Sequence, residues 1–388
     1  MKRKVSIPSA LLLAFCASAV TFSVTVSVMK NKFSDDSEMY SLLHEAEKYV
    51  IHSFYQDIDE KSVADGVIAG YMSGLDDKYA RYQTPSEYKA TSASDSGHVS
   101  GIGITINRSD DGYIKVVDFA EQSAAKDAGI QIDDIITAVD GNDVIQTGYN
   151  ETIDIIRQGD SGSSVVLTVK RNGMTFDIPV KRVEMNIITA DGQMIENTNI
   201  GYIHIRSFNS TTAEQMNDTL ERLLDSGAKS IIFDVRENPG GMVSSVEQCI
   251  DPFLPEGDIA VATYHNGETE VICHSDKNEL DIPIMILINE HSASGAELFS
   301  ASLRDFGKAE LVGVNSFGKG IMQTTHTLSN GGAVTFTVAT YQTVKSECYH
   351  GVGLAPDYEV QSDENDDITA VDPSKDSQLK KAVELLGG

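Results

Sequence analysis

The chain is predicted to be a mixed α/β protein of several domains, on three observations. From residue 183 onward, short apolar runs of strand length alternate with amphipathic helix patterns, the sign of an α/β core. Residues 97–182 instead carry closely spaced apolar runs broken by Gly, Asn and Asp turns, which marks a smaller β-rich unit. Residues 33–96 open with a short polar linker and then hold helical spacing. A length of 388 residues leaves room for two or three domains and a sizeable core. The net charge of −28, from 58 acidic against 30 basic residues, argues against a nucleic-acid surface and against docking on anionic lipid.

The N-terminus carries an export signal. Lys2-Arg3-Lys4 precedes residues 5–29, which hold no charged residue and are long enough to cross a bilayer; Lys30 and Lys32 follow. A cleaved signal peptide with Ala17-Ser18-Ala19 as its processing site is one reading. The apolar run continues past Ala19 through Val20, Phe22, Val24, Val26 and Val28, which favours an uncleaved anchor over residues 1–32. Both place residues 33–388 outside the cytoplasm, single-pass in the membrane or secreted. Of the four cysteines, Cys249, Cys273 and Cys348 lie beyond this run in no zinc or disulfide-scaffold spacing. A Cys249–Cys273 bridge stays open.

In the helical segment, Leu42, Leu43, Ala46, Tyr49, Val50 and Phe54 recur at helical spacing, and Val63, Val67, Ile68 and Tyr71 resume it. The pattern extends to about Lys89 across a turn at residues 74–77. Residues 91–98 are rich in Ser, Asp and Gly and read as a linker.

In the β-rich unit, Ile102, Ile104 and Ile106 alternate along a strand. Residues 123–128 and 152–157 read as helices, and Arg171-Asn172-Gly173 joins a hairpin. Ser100-Gly101-Ile102-Gly103-Ile104, then residues 123–130, Asp133-Asp134-Ile135-Ile136 and Asp140-Gly141, resemble a PDZ domain and its carboxylate-binding loop. Backbone N–H groups beside Gly101 and Gly103 can hold a terminal carboxylate while a peptide adds to the sheet edge.

In the core, strands are predicted at residues 200–205, 230–235, 284–288 and 334–341, and helices at 212–224, 240–250 and, beyond the acidic linker at 363–367, 377–386. Between the strand at 284–288 and the helix that follows lies Asn289-Glu290-His291-Ser292-Ala293-Ser294-Gly295-Ala296-Glu297. Taken alone, a serine at a helix start reads as an N-cap. It becomes a nucleophile only with a base. No Gly-x-Ser-x-Gly elbow, metal-binding His spacing or phosphate loop occurs, so neither metal nor cofactor is expected. Lys319, in Phe317-Gly318-Lys319-Gly320-Ile321-Met322-Gln323, is the better base candidate than His291. A lysine desolvated among apolar neighbours can lose its charge and accept a proton. Gln323 lies four residues on, sharing its face if the segment is a strand.

These motifs together resemble the carboxy-terminal processing peptidases, also called tail-specific proteases. Ser292-Ala293-Ser294, Phe317-Gly318-Lys319-Gly320 and Gln323 match that family's nucleophile, base and assisting glutamine. Asp234-Val235-Arg236-Glu237-Asn238-Pro239-Gly240-Gly241 matches its glycine turn, and residues 351–357 its closing element. The resemblance covers about residues 40–386. It implies a ClpP/crotonase-like protease core over residues 183–360, a PDZ domain inserted at 97–182, and an acidic linker with a terminal helix at 361–388. It also implies serine endopeptidase activity through Ser294 and Lys319 with Gln323, an oxyanion hole from Gly240 or Gly241 with Gly295, and peptide binding at Gly101, Ile102, Gly103 and Ile104. Arg157 would report peptide binding to the core. The expected partners are protein substrates with apolar C-termini, a second copy in a homo-oligomer and, from the N-terminal segment's own apolar run, the membrane. Two departures from the family pattern, Val314-Asn315 and Asp77-Lys78-Tyr79, are expected not to touch the dyad. A non-catalytic PDZ adaptor is the alternative.

Overall fold

The computed structural model describes residues 38–388 except 121, 158, 160, 277, 278 and 364, so the predicted anchor lies outside the described residues. Among the described residues no helix is long and apolar enough to cross a membrane. The chain forms two units, one ending at Ile68 and the other beginning at Ala69. Helices α1 (Glu38–Ser53) and α2 (Glu60–Ser73) follow the predicted spacing. Leu42, Leu43, Tyr49, Val50, Phe54, Val63 and Val67 are nonetheless exposed.

Strand β1 (Arg81–Gln83) and helix α3 (Pro85–Asp95) follow. The helix corrects the expectation of a linker over residues 91–98. Thr84 caps it and Glu87 closes a capping box, so a Ser- and Ala-rich stretch of weak amphipathicity still continues as helix to Asp95. Strand β2 (His98–Gly101) pairs antiparallel with β9 (Val183–Asn186), a ribbon through which the chain enters and leaves the β-rich domain.

That domain holds β3 (Ile104–Arg108), β4 (Ile114–Phe119), α4 (Ala124–Asp127), β5 (Ile135–Val139), β6 (Asn142–Asp143), α5 (Val144–Thr147), α6 (Tyr149–Arg157), β7 (Ser164–Arg171) and β8 (Met174–Lys181). Its sheet runs β3-β4-β5-β7-β8, with β6 beside β5, so β3 is an open edge. Alternate residues Val165, Leu167 and Val169 of β7 are fully buried and share a core with Ile114, Ile136 and Ile156.

In the core, a six-stranded sheet runs β10 (Ala190–Met194), β11 (Ile200–Ile205), β12 (Ser230–Asp234), β15 (Ile284–Ile288), β16 (Ala309–Gly313) and β19 (Tyr358–Glu359). Beyond the antiparallel β10–β11 pair, the ladders are parallel. Both faces are covered, which explains the unbroken apolar run at residues 284–288. Ile284, Ile286 and Ile288 pack with α7 (Thr212–Asp225), α8 (Val243–Ile250) and α9 (Gly295–Asp305), whereas Met285 and Leu287 pack with α10 (Ser377–Leu385). A second sheet contains β1, β13 (Gly257–Tyr264), β14 (Thr269–Ser275), β17 (Ile321–Thr327) and β18 (Ala333–Thr343), with β1 beside β18. Cys249 and Cys273 are both free and buried, with burial pushing each thiol up to about 12. Neither is bridged nor poised as a thiolate nucleophile.

Candidate active site

The site stands at the C-terminal ends of parallel strands β12 and β15, where the sheet leaves backbone groups free for ligands. Two turns interlock there. After β12, Asn238 donates through Nδ2 to Ile205 O at 2.7 Å and accepts the Gly240 N–H at 2.8 Å. After β15, Ser292 Oγ donates to Val235 O at 2.7 Å and accepts the Asn289 N–H at 3.0 Å, while Ala293 N donates to Asn238 O at 2.9 Å. Ser292 is thereby consumed in structure.

Ser294 follows with φ 55°, a left-handed conformation rare for a residue with a side chain, immediately before α9. The strained strand-to-helix turn exists without the Gly-x-Ser-x-Gly signature of a nucleophile elbow. Gly240 makes room for it: a Cβ there would fall 2.8 Å from Ser294 Cβ and 2.6 Å from Gly295 N. Among the described residues no acceptor takes the N–H of Gly241 or Gly295, whereas that of Gly240 is spent on Asn238. Of the three glycines expected to supply the oxyanion hole, two have a free donor.

Glu297 ties the serine turn to the lysine loop. Its carboxylate is 1% exposed and accepts four bonds: Ser294 N at 2.8 Å, Lys319 N at 2.8 Å, Gly318 N at 2.7 Å and Ser316 Oγ at 2.5 Å. This residue was missed as a site residue. Its signal was local, the Ser294-x-x-Glu297 spacing of a capping box.

Lys319 lies in the loop before β17, so the shared-face argument for Gln323 does not hold. The register also shifts between Met322 and Gln323. Gln323 Nε2 instead donates to Ile321 O at 3.3 Å and Thr337 Oγ1 at 3.4 Å. Burial holds the Lys319 amine below its ordinary value, helped by the positive charges of Arg81 and Lys78 and opposed by Asp77 and Glu297. No hydrogen bond joins Lys319 Nζ to Ser294 Oγ among the described residues. The amine stands 4.4 Å from the centre of the Tyr79 ring, a cation–π distance. The departure at Asp77-Lys78-Tyr79 therefore does touch the lysine, contrary to expectation. The Tyr341 hydroxyl has one proton and two acceptors in reach, Lys319 O at 3.0 Å and Ser294 Oγ at 3.4 Å. His291 is 60% exposed on its side chain, its Nε2 lies 3.9 Å from Glu290, and among the described residues no bond links its side chain to Ser294 or Lys319.

The sequence pattern of peptidase family S41 matches residues 199–360, and that of the PDZ domain residues 115–171. The carboxy-terminal processing protease CtpA of Bacillus subtilis is 33% identical over 352 residues, covering 89% of this chain and 75% of that protein. The chain belongs to peptidase family S41. This S41 peptidase is also 29% identical to the probable CtpA-like serine protease of Staphylococcus haemolyticus, over 92% of this chain and 73% of the other. Among solved structures, the photosystem II D1 C-terminal processing protease aligns over 82% of this chain and 86% of its own, with a TM-score of 0.48 and 24% identity. The protein is a serine-type peptidase with a PDZ domain, and peptides are its substrates. That sets the non-catalytic adaptor aside.

In the PDZ domain of this S41 peptidase, Gly103 (φ 75°) must be glycine, because a Cβ would meet Ser123 Cα at 2.6 Å. The loop is anchored by Ala125 N to Ile102 O at 2.9 Å and Ala120 N to Gly103 O at 3.1 Å. Ile104 faces Phe119 in a non-bonded pair, so its own N–H and C=O point to the open edge of β3. Arg157, at the end of α6, is exposed. The arginine that engages this helix end is Arg182, 5% exposed beside the ribbon, which donates to Ile155 O and Ile156 O at 2.8 Å each.

Proposed function

We propose that this S41 peptidase is a Ser–Lys endopeptidase in which Ser294 is the nucleophile and Lys319 the base. The observation that carries the proposal is the shared Glu297 carboxylate, which holds Ser294 N and Lys319 N at 2.8 Å each and so keeps both loops on one anchor. Ser294 Oγ attacks the peptide carbonyl carbon as its proton passes to neutral Lys319. The tetrahedral oxyanion is met by the N–H groups of Gly241 and Gly295, two donors worth several kcal/mol when preorganised. The C–N bond breaks as Lys319 returns the proton to the leaving amine. Water, deprotonated by the same lysine, then releases the acyl group.

Lys319 over Tyr79 and Gln323 bonded to Thr337 support reading this arrangement as a resting one, in which substrate has yet to join the dyad. Binding of a substrate C-terminus to the PDZ groove would favour the joined state, with Gln323 then free to hold the lysine. Proteins with apolar C-termini are the proposed substrates, met outside the cytoplasm. Exposed Leu42, Tyr49, Val50 and Phe54 on and beside α1 are the surface a homo-oligomer would use.

Ser294→Ala and Lys319→Ala should each abolish cleavage of an unstructured protein with an apolar C-terminus. Full activity in either, with the fold intact, refutes the dyad.

A further inference from the structure

The PDZ groove carries a positive charge that peptide binding in general does not require. Ile104, Ile106 and Arg108 lie two residues apart on β3 and share one face. Ile104 and Ile106 pack on the domain core, as do Tyr149 and Ile153 of the facing helix α6. Arg108 ends the row, exposed, with its guanidinium carbon 4.5 Å from the centre of the Tyr149 ring. The contact bridges strand and helix at the end of the groove away from the carboxylate loop. Asp110 and Asp111 in the next turn and Glu151 and Asp154 on α6 are the nearby acids in sequence. Yet among the described residues no carboxylate forms an ion pair with Arg108. Among the described residues Arg108 thus stands stacked on a ring, without an ion pair, at the mouth of the groove.

Strand addition sets the register. In the β3–β4 pairing, Ile104, Ile106 and Arg108 each turn their main-chain groups to the open edge, as shown by Ala120 N bonding Gly103 O and Ser109 N bonding Tyr113 O on the other side. A peptide whose carboxylate meets the N–H groups of Ile102, Gly103 and Ile104 would run antiparallel to β3. Its last residue then pairs with Ile104, the second before it with Ile106, and the fourth before it with Arg108. We propose that Arg108, held on the Tyr149 ring, is a specificity residue that selects substrate tails bearing Asp or Glu at the fourth position before an apolar C-terminus. The planar guanidinium can keep one face on the ring while its edge takes a carboxylate in bidentate fashion.

The inference rests on the PDZ groove binding substrate C-termini, and its test separates the two. Fluorescence anisotropy on the full chain carrying Ser294→Ala, so that nothing is cleaved, compares short labelled peptides with the same apolar C-terminus. One has Glu at the fourth position before the end, one has Lys there, and one is the Glu peptide with an amidated terminus. The Glu peptide should bind about three- to tenfold tighter than the Lys peptide at low salt, with the gap closing as salt rises. Arg108→Glu should reverse the preference, and Arg108→Lys should keep its sign but shrink it. Equal affinity for Glu and Lys peptides, with amidation still abolishing binding, overturns the role of Arg108 alone. Binding that ignores amidation overturns the groove reading and this inference together. Arg108 is exposed, so the variants leave the core intact, which a melting curve checks.

Discussion

Replacing Glu297 by Gln removes the charge from the carboxylate on which both loops hang, at almost no change in volume. The carboxylate accepts four bonds, two at each oxygen: Ser316 Oγ and Gly318 N at one, Ser294 N and Lys319 N at the other. An amide keeps one acceptor and turns two donor hydrogens toward the remaining pair. With the amide nitrogen at the first oxygen's place, Gly318 N loses its partner while the Ser316 hydroxyl turns and accepts; at the other, Ser294 N and Lys319 N both lose theirs. Each unsatisfied buried donor costs about 1–3 kcal/mol, so the cheaper flip costs about 1–3 kcal/mol before relaxation. Relaxation then moves the Lys319 loop, to which Gly318 belongs. A misplacement of about 1 Å at reacting groups can cost on the order of 100-fold in rate. We therefore expect kcat on an unstructured protein substrate to fall at least about tenfold, with peptide affinity of the PDZ domain unchanged. Glu297→Asp, one methylene shorter, should fail to span both loops and show the same split. A kcat within about twofold of the parent, with an unchanged melting curve, would refute the clamp. A coupling energy near zero between Glu297→Gln and Ser316→Ala in a double-mutant cycle would do so independently.

Three further outcomes follow from the geometry. The Tyr79 ring favours charged Lys319, so Tyr79→Leu should ease its deprotonation by about 0.5–2 kcal/mol, moving the rising limb of the pH–rate profile to lower pH; an unshifted profile rejects this. Because burial lowers the lysine's folded value, the unfolded chain binds more protons between the two values, and Lys319 opposes folding most at low pH. Lys319→Met should thus raise the melting temperature near neutrality, with the gain shrinking as pH rises through the folded value. Arg236→Met should cost about 3–5 kcal/mol, since it strands the buried carboxylates of Asp234 and Asp376, which Arg236 bonds at 2.6 and 2.7 Å. Burial alone would raise the Asp234 carboxyl, but Arg236 overcomes it and holds the value down. Parent stability should therefore be lost as pH falls through that depressed value, a loss the variant, already without its arginine, should not repeat.

The parallel strands β11, β12 and β15 were legible because both their faces are buried: the run at residues 284–288 can be little else than a central strand. The serine turn was legible as a junction for the same reason. The paired β-edges were less so. β1 is three residues long and gains its identity from β18, far along the chain; β13, β14 and the parallel β16 carried no expectation, and β17 only a conditional one through Gln323. Helix α3 was misread where capping outweighed composition.

By itself the sequence determined the order of the motifs, the residue types available for chemistry and the glycines without which the turns could not close. Gly103 and Gly240 belong there, since their positions leave no space for a Cβ. Only the tertiary structure decided which of those groups remain free to act. Asn238 spends the Gly240 N–H and leaves that of Gly241, Glu297 joins loops separated by β16, and Tyr79 reaches Lys319 from the far side of the inserted domain. The physical reason is that a hydrogen bond or a ring contact is fixed by where two chain segments meet in space, which no local pattern of residues encodes.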